Sequence, residues 1–231
     1  MSQPFEIITT DDGSPTIRPT GGEAMHSLRG AISETEYCYA QPWRAAHAQG
    51  ASSLMVVGLG LAAIEMLVSS HPPDRLHSFE AEPALRGALV AWLEGKSAPL
   101  AEAYAAMASA AAKNLNRETD DIRLQLAQFR AEGRWQISGA LALETLPDER
   151  FHMIAFDAYS EASSPDLWSE GFLKSLLERC CEEQALLSTY AAKGRLTRAL
   201  REAGFEVRRR EGFAGKRHAT LAVRGLDIEP S

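Results

Sequence analysis

At 231 residues, 45% hydrophobic and 24% charged, the chain is long enough for one globular domain with a sizeable core, which excludes global disorder. The formal charge is −7 and the isoelectric point near 5.4, averages that argue against a nucleic-acid partner unless the charge is unevenly spread. Cys38, Cys180 and Cys181 form no Cys-x-x-Cys or Cys/His spacing, so reduced thiols, a cytoplasmic location and no metal site are expected. Glu6, Asp11 and Asp12 are incompatible with a signal peptide. The longest apolar run, Leu54 to Ile64, is about half a membrane span.

In chain order, Phe5 to Thr9 and Thr16 to Arg18 read as two strands around the turn Asp11-Asp12-Gly13-Ser14-Pro15. Residues 23–48 are helix-like, with Pro42 as a break or kink. Ser53 to Val57 is a buried apolar strand that runs into Gly58-Leu-Gly60 and then a helical pattern, the start of a βα unit. His77 to Phe79 is a short strand ending in Glu80 and Glu82, and the Ala- and Leu-rich stretch 83–132 predicts two or three helices. Further strands are expected at 135–138, 151–156, 185–190, 205–210 and 218–223. Helices are expected at 170–182 and 196–203, the latter closed by Gly204. Strands alternating with helices imply an open, mostly parallel α/β sheet, and the last two strands imply an antiparallel edge. An N-terminal hairpin and helix over 1–50 would precede a main domain over 51–231.

Ligands of such sheets bind at the carboxyl ends of the strands, which singles out Gly58, Gly60, Glu80, Asp157 and Tyr159. The glycines let backbone approach a ligand closely, and the following helix offers free N–H groups. Glu80 is placed to accept from two ribose hydroxyls. A carboxylate at Asp157 can orient an amine or take its proton, and the ring of Tyr159 can face a flat base or a cation. A nicotinamide dinucleotide fingerprint wants a third glycine near 63, where Ala62 and Ala63 stand.

The stretch Phe156-Asp-Ala-Tyr-Ser-Glu-Ala-Ser-Ser-Pro165-Asp166-Leu-Trp168 resembles the methyltransferase domain of the MnmC family of bacterial tRNA wobble-uridine enzymes. The resemblance continues through Leu187-Ser-Thr-Tyr-Ala-Ala-Lys-Gly194 and Arg209-Arg-Glu-Gly212-Phe213-Ala-Gly-Lys216-Arg217. It includes the N-terminal Thr10-Asp-Asp-Gly-Ser-Pro-Thr and His26-Ser27-x-x-Gly30-Ala31-x-x-Glu34, and is poorest over 83–135. It implies a class I, Rossmann-like fold that binds S-adenosylmethionine. The implied activity is methylation of the exocyclic amine of 5-aminomethyl(-2-thio)uridine in tRNA, by a standalone form without the family's flavin oxidase domain.

Carried over by position, Gly58, Gly60 and Ala62 would face the cofactor and Glu80 its ribose. Gly139 and Ala140 would lie at the adenine, and His26, Ser27 and Glu34 would complete the pocket. Asp157 and Tyr159 would form the amine site, with Pro165, Asp166, Trp168, Lys193, Lys216 and Arg217 toward the tRNA. Two positions depart from the family. Ala62 replaces a glycine, which predicts a methyl group crowding the cofactor's methionine portion, and Ala140 replaces an acid. A small free amine is a second candidate substrate, and a non-catalytic binding protein on the same scaffold is a third candidate role. The charge is uneven: residues 1–189 carry −12 and residues 190–231 carry +5, the latter including Lys193, Arg195, Arg198, Arg201 and Arg208 to Arg210. A basic end on an acidic body suits a phosphate-contacting face.

Overall fold

The computed structural model describes residues 5–215 and 218–228. Strands β1 (Phe5–Thr9) and β2 (Pro15–Pro19) form an antiparallel hairpin, with Ile7 opposite Ile17. The next helix begins at Ala31, later than the pattern from residue 23 predicts, because the hairpin turn caps it there. The Ala31 and Ile32 N–H groups donate to the Ser14 hydroxyl, each at 3.1 Å, and the Ser33 N–H donates to Asp12 Oδ2 at 2.9 Å. These are orphan donors of a first helical turn, satisfied from a distant segment.

Helix α1 (Ala31–Thr35) passes through a π-helical turn, Glu36–Ala40, into α2 (Gln41–His47). Pro42 has no N–H to offer the Cys38 carbonyl four residues back. The widened turn instead has Gln41 N–H bonded to Glu36 O, and the Ser188 hydroxyl takes up the Cys38 carbonyl. The predicted break at Pro42 is thus a widening of one continuous helix.

Among the described residues, seven further strands form the main sheet: β3 (Ser53–Val57), β4 (Arg75–Phe79), β5 (Trp135–Ser138), β6 (Phe151–Phe156), β7 (Cys181–Thr189), β8 (Glu206–Glu211) and β9 (His218–Arg224). Their order is β5-β4-β3-β6-β7-β9-β8. The first five are mutually parallel, and β9 is antiparallel to both β7 and β8. The open sheet with an antiparallel C-terminal edge is therefore present. Alternate residues enter two cores. Leu54, Val56, Met153 and Ala155 face the hairpin, the N-terminal helix and α3 (Ala63–Val68), α4 (Pro83–Leu93), α5 (Ala101–Leu115) and α6 (Thr119–Ala131). Met55, Val57, Ile154 and Phe156 face α7 (Glu170–Cys180) and α8 (Gly194–Glu202).

The Ala-rich stretch is thus three helices packed on the sheet, and it supports the glycine loop directly. Tyr104, buried on α5, donates its hydroxyl to Gly60 O at 2.9 Å and to Leu85 O at 3.1 Å. All three cysteines are buried, and among the described residues none forms a disulfide and no helix is long and apolar enough to cross a membrane.

Burial pushes the Asp12 carboxyl up, but hydrogen bonds from Ser14 and Ser33 outweigh it and bring the group down to about 2. Its folded pKa lies below the ordinary 3.8, so its contribution is present above that value and lost as pH falls toward 2. Asp12→Ala should cost about 1–2 kcal/mol at neutral pH, typical of a lost helix cap. In denaturant unfolding the gap to wild type should narrow as the pH is lowered through that window.

Candidate active site

Strand β3 is flanked by β4 on one side and β6 on the other, so the chain's connections diverge there and a crevice opens at the carboxyl ends of β3 and β6. A cavity of about 320 Å³ lies at this point. Gly58, with φ 94°, ends β3 so close to the other strand that a Cβ would collide with the Asp157 carbonyl oxygen. Gly60, with φ 51°, lies under Met25 and His26 of the hairpin-to-helix connection.

Of the residues singled out by the sequence, Gly58, Gly60, Glu80, Ala140, His26, Asp157 and Tyr159 line this cavity. Glu80, at the end of β4, accepts from Gly60 N–H on Oε2 and from Glu82 N–H on Oε1, both at 2.9 Å. Burial raises its carboxyl above the usual range against those two hydrogen bonds. Asp157 accepts the Tyr39 hydroxyl on Oδ1 at 2.7 Å, while Oδ2 lies 3.9 Å from His26 Nε2. The Tyr159 hydroxyl is buried with no hydrogen-bond partner, and burial, then Glu80, keeps it protonated. It is a donor on the cavity wall awaiting an acceptor.

Other expected residues lie off the wall. Ala62 is fully buried at the N-cap of α3 in the left-handed conformation, φ 59° and ψ 31°, that a glycine adopts without strain. The departure from glycine therefore costs about 1 kcal/mol of backbone strain, while Ala62 is not among the residues lining the cavity. Gly139 borders a neighbouring, more open hollow that shares Phe79 and Ala140 with the cavity. Glu34 Oε2 accepts Ser27 N–H at 2.7 Å, which anchors the connection carrying His26 and leaves both residues out of the cavity. Trp168 is buried edge-on against Phe156 and donates Nε1–H to Tyr159 O at 2.7 Å, so it sets the loop and not the substrate surface. Pro165 and Asp166 are exposed on the same turn. Lys193 Nζ lies 3.6 Å from Glu161. Lys216 and Arg217 fall outside the described residues.

The basic end divides in two. Arg210 is buried, lying over the Tyr37 ring and donating to Tyr37 O, and Arg208 pairs with Glu206. Arg195, Arg198, Arg201 and Arg209 are exposed. Strand β8 runs parallel to β7, being antiparallel to their common neighbour. Its end at Glu211 therefore lies at the same sheet edge as the cavity, as does the start of α8 with Lys193 and Arg195.

The sequence analysis missed Tyr39, Met25, Phe79, Leu141, Glu82 and Leu167, all at or behind this wall. Two tyrosines within the six residues before Pro42 were the available signal for Tyr39. Glu65 was also missed. It is fully buried on α3, accepts the Ser78 hydroxyl at 2.6 Å on Oε1, and has no partner for Oε2.

Residues 99–225 match a family model described as S-adenosyl-L-methionine-dependent methyltransferase. The chain belongs to this family. It is 30% identical over 93% of its length to MnmC, the "tRNA 5-methylaminomethyl-2-thiouridine biosynthesis bifunctional protein", of Burkholderia mallei and of Burkholderia pseudomallei. That bears out the resemblance drawn from the motifs. The chain spans about a third of the length of those relatives. Its fold is that of MNMC2 from Aquifex aeolicus, with TM-score 0.65 and 23% identity, covering all of this chain and 73% of that one. Spermidine synthase from Thermotoga maritima shares the fold, with TM-score 0.58 and 15% identity over 96% of this chain and 70% of that one.

The residues present fit S-adenosylmethionine. The cavity is of ligand size. Its charged lining among the described residues is acidic, Glu80, Glu82 and Asp157, which favours a sulfonium cation. Glu80 presents a carboxylate for the ribose, and the orphaned Tyr159 hydroxyl requires a partner.

Burial, aided by Asp157 and Glu80 and opposed by the Ser78 hydrogen bond, pushes the Glu65 carboxyl up to about 7 from an ordinary 4.5. The folded state thus holds this proton more tightly, and stability falls as pH rises from 4.5 to 7. Glu65→Gln should gain several degrees in melting temperature relative to wild type between pH 5 and pH 8. A constant gap across that range would show that Glu65 does not titrate there.

Proposed function

We propose that this methyltransferase acts on the exocyclic amine of 5-aminomethyl(-2-thio)uridine at the wobble position of tRNA. The observation that carries the proposal is the Asp157 carboxylate. One of its oxygens is tied to Tyr39, and it stands at the strand switch point in a cavity whose charges are acidic. Such a wall attracts an alkylammonium and holds it by hydrogen bonds. Similarity to MnmC proteins, named for tRNA 5-methylaminomethyl-2-thiouridine biosynthesis, supports this choice of amine.

The cofactor, when bound, supplies an electrophilic methyl group on a sulfonium. The amine must be neutral to attack it. An adjacent carboxylate favours the ammonium form while burial disfavours it. Asp157 is therefore cast as the acceptor that aligns the amine and receives its proton as the new N–C bond forms. Alignment at the end of β6 supplies much of the rate. The aromatic ring of Tyr159 forms the adjacent wall, and the side chains of Met25 and His26 cover Gly60 from above. Exposed Arg195 and Arg209, with Lys193, lie at the cavity's edge of the sheet, suited to tRNA phosphates. A tRNA substrate implies action in the cytoplasm.

A small free amine is the second reading, favoured by the same acidic wall. Labelled S-adenosylmethionine offered with undermethylated tRNA or with polyamines separates the two. Label should enter tRNA, Asp157→Ala should reduce transfer at least about 100-fold, and tRNA affinity should fall at least about tenfold between 50 and 200 mM salt. Label in polyamine alone, or salt-independent tRNA binding, would contradict the proposal.

A further inference from the structure

Tyr39 is carried by the π-helical turn, is fully buried, and reaches across to two strand ends at once. Its hydroxyl donates to Asp157 Oδ1 at 2.7 Å, beyond β6, and its oxygen is 3.4 Å from the Tyr190 N–H, beyond β7. The turn around it is tied down on both sides. The Cys38 carbonyl accepts from Ser188, the Tyr37 carbonyl accepts from Arg210, and the Tyr37 hydroxyl donates to Glu211 O at 2.8 Å. An ordinary α-helical turn would keep those carbonyls in its own ladder and turn residue 39 elsewhere. Pro42 is what releases the Cys38 carbonyl.

We infer that Tyr39 is the positioning residue for Asp157: its hydroxyl pins one carboxylate oxygen and so fixes the orientation in which the carboxylate lines the cavity as the acceptor for the substrate's N–H. The assignment rests on the reading of this cavity as an amine site. Tyr39 makes no contact with the cavity itself and acts through Asp157. Burial, reinforced by the Asp157 charge, holds the phenol proton in place, so Tyr39 is a permanent donor and not a base. A donor to the charged form of a carboxylate favours ionisation. Tyr39 thereby keeps Asp157 an acceptor in a site where other acids oppose its charge. Among the described residues, the titratable groups around Asp157 include His26 from the connection, Tyr190 from the end of β7, Tyr159 from its own loop, Glu80 from β4 and Glu65 from α3. None of these changes in the test below.

The full chain with carbon-13 aspartate labelling, and Asp157→Asn to assign the resonance, gives the Asp157 titration directly and without substrate. In Tyr39→Phe, whose folding is checked by thermal unfolding, the midpoint should rise by about one pH unit. Replacing Tyr39 with 3-fluorotyrosine, which keeps ring and hydroxyl but donates more strongly, should lower the midpoint. With tRNA as substrate, Tyr39→Phe should reduce kcat at least about tenfold, with KM and cofactor Kd unchanged and the acidic limb of the rate profile moved with the midpoint. In the Asp157→Asn background the same change should have no further effect on kcat. An unmoved midpoint in folded Tyr39→Phe, or an equal loss in the Asp157→Asn background, would overturn the assignment. A displaced midpoint without any transfer to tRNA refutes the tRNA reading and leaves the Tyr39 assignment standing.

Discussion

The site depends on how closely two parallel strands approach as they end. Gly58, leaving β3, and Asp157, leaving β6, meet backbone to backbone where the sheet's connections diverge. Asp157 N–H donates to Val57 O at 2.8 Å, so the two strands stay in register up to the last residue before the cavity. A side chain at 58 would separate them. Everything else in the site is arranged around that junction: the glycine turn folds back to present the Gly60 N–H to Glu80, Tyr104 supports the turn from behind, and Asp157 emerges at a fixed distance from the glycine turn.

Acidic groups gathered in a half-buried cavity are costly unless each has partners. Glu80 meets the cost with two backbone N–H donors, and Asp157 does so with a buried phenol. Glu65, behind them, meets it differently, by holding its proton near neutral pH. The result is a pocket that keeps negative charge at its wall while limiting mutual repulsion. A sulfonium and an alkylammonium both gain from such a wall, which is why one cavity suits a cationic donor and an amine acceptor. On the proposed reading, the exposed basic residues at the neighbouring strand ends would meet the phosphates of the tRNA that carries the amine.

The strands and the strand-end residues were legible in the sequence because they obey short-range rules. Leu54 to Val57 and Phe151 to Phe156 are apolar runs that stop at a glycine and an acid, and parallel sheets place ligands at such stops. Gly58, Glu80 and Asp157 follow from that alone. Tyr39 does not, because its direction is set by a π-turn. The turn needs both Pro42 in the chain and Ser188 and Arg210 from elsewhere in the fold. Ser27 and Glu34 matched a family pattern, yet they bond each other; spacing in sequence does not distinguish wall from anchor. Ala62 looked like a steric obstacle, but its backbone takes the glycine's conformation and its methyl stays inside. The acidic average charge likewise hides its distribution along the chain. The basic C-terminal end is real, though Arg210 and Arg208 within it serve the fold.

The central claim is that the junction of β3 and β6 holds cofactor and amine together. A crystal structure of the chain with S-adenosylhomocysteine tests it most directly. The account predicts the ribose hydroxyls on Glu80, the Tyr159 hydroxyl partnered, and the sulfur facing the Asp157 carboxylate across space large enough for an aminomethyl group. A cofactor bound elsewhere, or one whose sulfur is turned away from Asp157, would contradict it.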